Sequence, residues 1–241
     1  VAVFLLLEFQ QERQRLEDDA VQIAHALSVT MDTRLLHAHA LAQTLVTSDA
    51  LKKADIDQFS RDATGLMATS LDMPDAAVSL FRPDGSLLVK VVPAARQQSQ
   101  GDSVAVVTPP VGNSVHSFRL VVAAMPGNSV VSVQLPVIHD GTVICFLVLQ
   151  IPTAQLSRML AGWRLPAGWL AGVLDSNGII AGRNLDADNY IGKPASDTLR
   201  RALSRRDEGS VATINQQGVP FLTAFSRSRQ TGYAIVVGVP K

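Results

Sequence analysis

A chain of 241 residues, 47% apolar and only 17% charged, can bury one large core or two small ones, which excludes a disordered polymer. Lys plus Arg and Asp plus Glu are equal at 21 each, so no overall field draws the chain to nucleic acid or to an anionic membrane surface. The single cysteine, Cys145, excludes an internal disulfide and a Cys-rich zinc site, and within the apolar run 142–151 it reads as a small buried hydrophobe.

In chain order, residues 1–7 are apolar and stop abruptly at Glu8. Seven helical residues rise only about 10 Å, whereas a bilayer needs roughly 20 residues. Two readings fit: the outer end of a transmembrane helix, or an apolar first turn packed in the fold. The flanks do not fit a signal peptide. Residues 8–46 then predict one long helix, because Leu16, Ala20, Ile23, Leu27, Met31, Leu35, Ala38, Leu41 and Leu45 recur at steps of three and four. At about 1.5 Å per residue such a helix exceeds the width of one small domain, so it is expected as a spine and as a surface for homodimerisation. Asp55 caps a second helix, 56–70, with Phe59, Ala63 and Leu66 on its inner face.

After residue 74 the pattern becomes strands and turns. A hairpin over 77–82 and 86–92 closes through Pro83-Asp-Gly85. A polar connector, 93–117, leads to strands over 118–124, 130–137 and 142–151, and a short helix follows over 153–163. The second half repeats the plan: strands 170–174 and 179–183 around Asp175-Ser-Asn-Gly178, a connector 184–194, a helix 196–206, and strands 210–215, 218–227 and 232–240. Element order repeats although residue identity hardly does. A five-stranded antiparallel sheet whose connector crosses between its second and third strands is the PAS-like plan. The expected fold is therefore α+β: a long N-terminal helical spine over 8–46 with two PAS-like units, 47–151 and 152–241, each an antiparallel sheet of about five strands. The 142–151 strand, apolar on both faces, reads as central and covered on both sides. The long helix would cover one face and the 93–117 connector the other, with a pocket between.

Motifs for catalysis are absent from the sequence: there is no Gly-x-Ser-x-Gly elbow, no phosphate loop and no His-Glu-x-x-His. His37 and His39, two apart on a helix, point about 200° apart and cannot share one metal. No catalytic residue, metal site or cofactor is expected. Candidate ligand contacts come from polar residues on strands that should be buried. Ser132 and Gln134 share one strand face, opposite Val131, Val133 and Leu135. Arg119 opens the strand after the connector, where its planar fork suits a carboxylate. His116 and Ser117 lie at the same mouth, and Ser79 and Phe81 alternate onto one face as a floor. The plainer alternatives are satisfied structural polar groups, an Arg at a solvated strand end, and core packing. In the second half Asp175 and Asn177 read as turn chemistry, and Arg183 with Asp186 as a surface pair.

Several segments carry a family resemblance. They are Leu165-Pro-Ala-Gly-Trp-Leu-Ala-Gly-Val-Leu-Asp-Ser-Asn-Gly-Ile-Ile-Ala-Gly-Arg183, Tyr190-Ile-Gly-Lys-Pro-Ala195, Gly232-Tyr-Ala-Ile-Val-Val-Gly-Val-Pro240 and Val131-Ser-Val-Gln-Leu-Pro-Val-Ile-His-Asp-Gly141. With them the chain resembles the tandem PAS-like (double Cache) sensor domains of bacterial transmembrane receptors, especially sensor histidine kinases. The resemblance implies a periplasmic segment anchored by flanking membrane helices, with residues 1–7 as the end of the first. It also implies a small-molecule ligand in the membrane-distal unit and a kinase outside these residues; a diguanylate cyclase or a chemoreceptor is the alternative output. The amino-acid-binding subset carries a Tyr/Arg/Trp/Asp signature around the distal pocket, but the two tyrosines, Tyr190 and Tyr233, both fall in the proximal half. The ligand is expected to be a small molecule of unknown identity, with an organic anion as one candidate, and a ligand-free structural or protein-interaction module is the rival reading.

Overall fold

With neither Pro nor Gly to interrupt it, the N-terminal segment forms a 45-residue helix, α1 (Ala2–Val46), in the computed structural model, which describes residues 2–70, 74–92, 119–122, 129–214 and 218–240. The buried stripe of α1 runs through Ala20, Ala24, Leu27, Met31, Leu35, Ala38, Leu41, Ala42 and Leu45. It follows the predicted spacing, except that Leu16 is 45% exposed and Ile23 half-buried. Residues 2–7 continue into the same helix without a break. After a short turn of helix, α2 (Asp49–Lys52), comes α3 (Ile56–Ser70). Its first turn is held by Asp55, whose Oδ1 accepts the Gln58 N–H at 2.9 Å. Phe59, Ala63 and Met67 are its buried residues, with Leu66 only half-buried.

Two five-stranded antiparallel sheets follow. The first contains β1 (Ala77–Phe81), β2 (Leu87–Val91), β3 (Arg119–Val121), β4 (Val130–His139) and β5 (Thr142–Pro152), in spatial order β2-β1-β5-β4-β3. After α4 (Thr153–Ala161) the second sheet contains β6 (Leu170–Leu174), β7 (Ile180–Arg183), β8 (Glu208–Ile214), β9 (Pro220–Arg227) and β10 (Ala234–Pro240). Its order is β7-β6-β10-β9-β8, the same arrangement repeated. Between β7 and β8 lie α5 (Ala187–Tyr190), inside the predicted connector, and α6 (Asp197–Leu203). The fold is thus α+β, a long N-terminal helix with two antiparallel sheets of PAS-like order.

Turn chemistry explains the sheet register. Asp140 at φ 49° and Gly141 at φ 76° form the two-residue link between β4 and β5, the left-handed pair that matches strand twist. Around β5, Cys145 and Leu147–Pro152 are buried, whereas Thr142 and Ile144 beside that turn are exposed. The strand is therefore covered on both faces only along its inner part. The 93–117 connector expected to close the first sheet lies outside the described residues.

The chain divides into two compact units, Thr33–Gln155 and Val1–Asp32 with Leu156–Lys241, so that α1 contributes to each. Among the described residues no helix is long and apolar enough to cross a membrane.

Candidate functional site

Strand pairing assigns faces in the first sheet, because residues directly opposite each other in an antiparallel ladder share a face. Gln150 stands opposite both Ala77 and Ser132, and Ser132 is paired in turn with Arg119. One step along, Val148 stands opposite Ser79 and Gln134, and Ser79 is paired with Lys90. Ser79, Gln150, Ser132 and Gln134 therefore occupy one face. The reverse face is apolar throughout, with Val78, Leu80, Leu147, Leu149, Val131, Val133 and Leu135 all buried.

The polar face is deeply covered. Ser79 and Gln150 are 2% exposed, Ser132 is 6% exposed and Gln134 is half-buried. Neither Ser132 nor Gln150 is without a partner. The two paired rows each end in a basic residue, Lys90 on β2 and Arg119 on β3. Phe81, 1% exposed and opposite Phe146, shares the face at its far end, as a floor residue would. His116 and Ser117 lie outside the described residues. Pairing brings together Ser79, Phe81, Ser132, Gln134 and Arg119, and adds Gln150 and Lys90. Gln150 escaped sequence reading because it sits in an apolar run; only its register opposite Ser132 reveals it. Hydroxyl and amide groups gathered on one covered face can donate and accept hydrogen bonds to a polar small molecule.

The second sheet presents a different site, a cavity of about 110 Å³ bounded by the sheet, α5 and α6. Gly172 and Gly238 face it where larger residues would intrude. A Cβ on Gly238 would stand 3.0 Å from the Phe221 ring, and one on Gly172 would stand 3.2 Å from Val236. The walls are mainly aliphatic, and Arg183 is the charged residue among them. Its guanidinium carbon lies 3.8 Å from the centroid of the Tyr190 ring, while Asp186 is exposed in a left-handed conformation at φ 51°. The expected surface pair of Arg183 and Asp186 is thus replaced by a stacked pair, because α5 brings Tyr190 over the guanidinium. The hydroxyls of Thr213 and Thr223 lie 2.7 Å apart, and the Ser196 hydroxyl caps α6 by accepting the Leu199 N–H at 3.4 Å.

Below this sheet's first hairpin the expected turn chemistry is present. Asp175 Oδ1 accepts the N–H groups of Asn177 at 2.9 Å and Ile179 at 2.8 Å. Tyr233, 2% exposed, has a buried hydroxyl with no hydrogen-bond partner. Burial, and after it the Asp175 charge, hold that phenol well above its ordinary range. Burial also pushes the Cys145 thiol up to about 11, which leaves it inert at neutral pH. Among the described residues no group of three or more His, Cys, Asp or Glu side chains could hold a metal ion.

The fold is that of extracellular and periplasmic sensor domains. The chain is similar to the extracellular domain assigned to a histidine kinase, rpHK1S-Z16, at 16% identity and a TM-score of 0.74, covering 98% of this chain and 97% of that one. It is similar to the periplasmic sensory domain of the Campylobacter jejuni chemoreceptor Tlp1, at 14% identity and a TM-score of 0.67, covering 95% and 96%. A third likeness is to the sensory domain of the Campylobacter jejuni chemoreceptor Tlp3 (CcmL) with isoleucine bound, at 11% identity and a TM-score of 0.57, covering 97% and 95%. No protein-family model and no curated protein sequence matches the chain. At these identities the likeness establishes the architecture, and the residues must carry the chemistry.

Proposed function

We propose that this chain is the extracytoplasmic ligand-sensing domain of a bacterial transmembrane signalling receptor, a double Cache sensor whose output is a histidine kinase. It is the periplasmic part of an inner-membrane protein, anchored by flanking helices, and performs no catalysis itself. The repeated strand order β2-β1-β5-β4-β3 and β7-β6-β10-β9-β8 supports the tandem reading. Likeness along nearly the whole of both chains to the rpHK1S-Z16 domain supports a kinase output. Equally complete likeness to the Tlp1 sensory domain supports a chemoreceptor as the second reading.

The observation that carries ligand sensing is the covered polar face of the first sheet. Ser79, Ser132, Gln134 and Gln150 give this face hydrogen-bonding groups that the apolar reverse face lacks, which supports a polar guest there. Ser132, Gln134 and Gln150 form the wall of the site, Ser79 and Phe81 its floor, and Arg119 clamps an organic anion at a mouth that includes His116 and Ser117. Binding shifts signalling only if the ligand favours one of two arrangements of the receptor.

The test is a thermal-shift screen of the purified chain against organic acids, amino acids and amines. An organic acid at a hundred times its dissociation constant is expected to stabilise by about 2.7 kcal/mol. Arg119→Ala is expected to weaken the response of the first sheet at least tenfold. A hit confined to amines, or one indifferent to Arg119→Ala, would remove the anion clamp.

A further inference from the structure

We infer that the second sheet carries a binding site of its own, for a short monocarboxylate of about four to five heavy atoms. The size follows from the cavity of about 110 Å³. The pocket is open on one side, so this volume measures the part of a guest that it covers, somewhat less than an enclosed ~150 Å³ cavity gives benzene. The chemistry follows from its lining. Leu170, Leu174, Ile180 and Val236 offer an aliphatic wall for a short alkyl tail.

Arg183 supplies the counter-charge. Among the described residues its guanidinium has no carboxylate partner, and its Nε is buried without a hydrogen bond. The guanidinium lines the cavity over the Tyr190 ring at 3.8 Å, where its planar fork can offer parallel bonds to a carboxylate; the Nε, closed off even from water, is not among those donors. The neighbouring hydroxyls also have hydrogens to give. Ser196 Oγ accepts from Leu199 N and keeps its own proton free. In the Thr213–Thr223 pair one hydroxyl donates to the other, which leaves one hydrogen for a guest. Among the described residues no carboxylate lines the cavity to compete for these donors, and no second cation lines it to favour a dicarboxylate.

The test uses the purified chain in carboxylate-free buffer at fixed ionic strength. Acetate, propionate, propionamide and hexanoate are compared by thermal shift. Propionate at a hundred times its dissociation constant is expected to raise Tm by roughly 5–10 °C. Its isosteric amide is expected to do nothing, and hexanoate to gain little over propionate from carbons that project beyond the pocket. Arg183→Gln should abolish the response, and Arg183→Lys should weaken binding at least tenfold despite keeping the charge. Thr223→Val should weaken it severalfold, and it keeps the site testable should the Arg183 variants fold poorly.

Equal stabilisation by propionamide, a response that survives Arg183→Gln, or no response of the parent chain to any short carboxylate would each overturn the inference. Ser132→Val separates the two sites. A propionate response retained in Ser132→Val belongs to the second sheet, whereas one lost there and kept in Arg183→Gln would overturn this inference and leave the first sheet's role intact.

Discussion

Tyr233 shows how a single buried polar atom shapes the behaviour of the second sheet. Its hydroxyl has lost water without gaining a partner, and the nearby Asp175 carboxylate opposes its ionisation. Tyr233→Phe removes an unsatisfied group and is expected to raise stability by about 1 kcal/mol, measured by urea unfolding at neutral pH. The pH dependence has a definite sign. The folded-state pKa lies above the ordinary 10.0, so the unfolded chain releases this proton first. The tyrosine's contribution is complete below about pH 10 and declines as pH rises beyond it towards the folded value. Stability of the parent chain should fall above pH 10, and Tyr233→Phe should flatten that fall. Arg183 illustrates the opposite limit of sequence reading. Its nearest acidic neighbour along the chain suggests a pair with Asp186, yet its actual partner, Tyr190, is set by α5.

At the scale of elements, the turns were the most legible part of the sequence. Asp140-Gly141 and the Asp175 turn follow from side chains that accept neighbouring N–H groups and from glycine's tolerance of positive φ. Two glycines with open space where a methyl group would stand separate backbone cost from packing. Gly141, at φ 76°, has nothing within 4 Å of an added Cβ, so Gly141→Ala should cost about 1 kcal/mol through conformation alone. Gly65, inside α3 and equally unobstructed, has the opposite expectation: Gly65→Ala should stabilise by about 0.5–1 kcal/mol. Thermal or urea melts of both variants check the pair of signs. α5 was not legible, because it has four residues and no side-chain cap to announce it. The cavity was not legible either. It depends on side chains missing at Gly172 and Gly238, and absent volume leaves no periodic signal.

On the whole-molecule scale, the duplicated order of elements was readable because Asp-x-Gly-like turns and the succession of strands recur even where identities do not. The site was readable only in part. Alternation along β4 sets Ser132 and Gln134 apart from Val131 and Val133, but the cross-strand partners Gln150 and Lys90 emerge only from register. Self-association belongs to the same proposal as sensing. Among the described side chains of α1, Leu16 and Val29 are exposed apolar residues, 45% and 53% accessible; they point about 140° apart, so a helix-mediated homodimer would use one or the other. Sedimentation velocity should show mass rising with concentration towards a dimer, and a monomer throughout would exclude that arrangement.

The central claim, that the polar face of the first sheet binds a small ligand, is tested most directly by isothermal titration of a stabilising organic acid into three proteins: the parent chain, Gln134→Ala and Arg183→Gln. Saturable heat in the parent and in Arg183→Gln, weakened at least tenfold in Gln134→Ala, is the expected result. Saturable heat unchanged by Gln134→Ala and lost in Arg183→Gln would contradict the claim and move binding to the second sheet, and no saturable heat with any compound would contradict it in favour of a filled structural module.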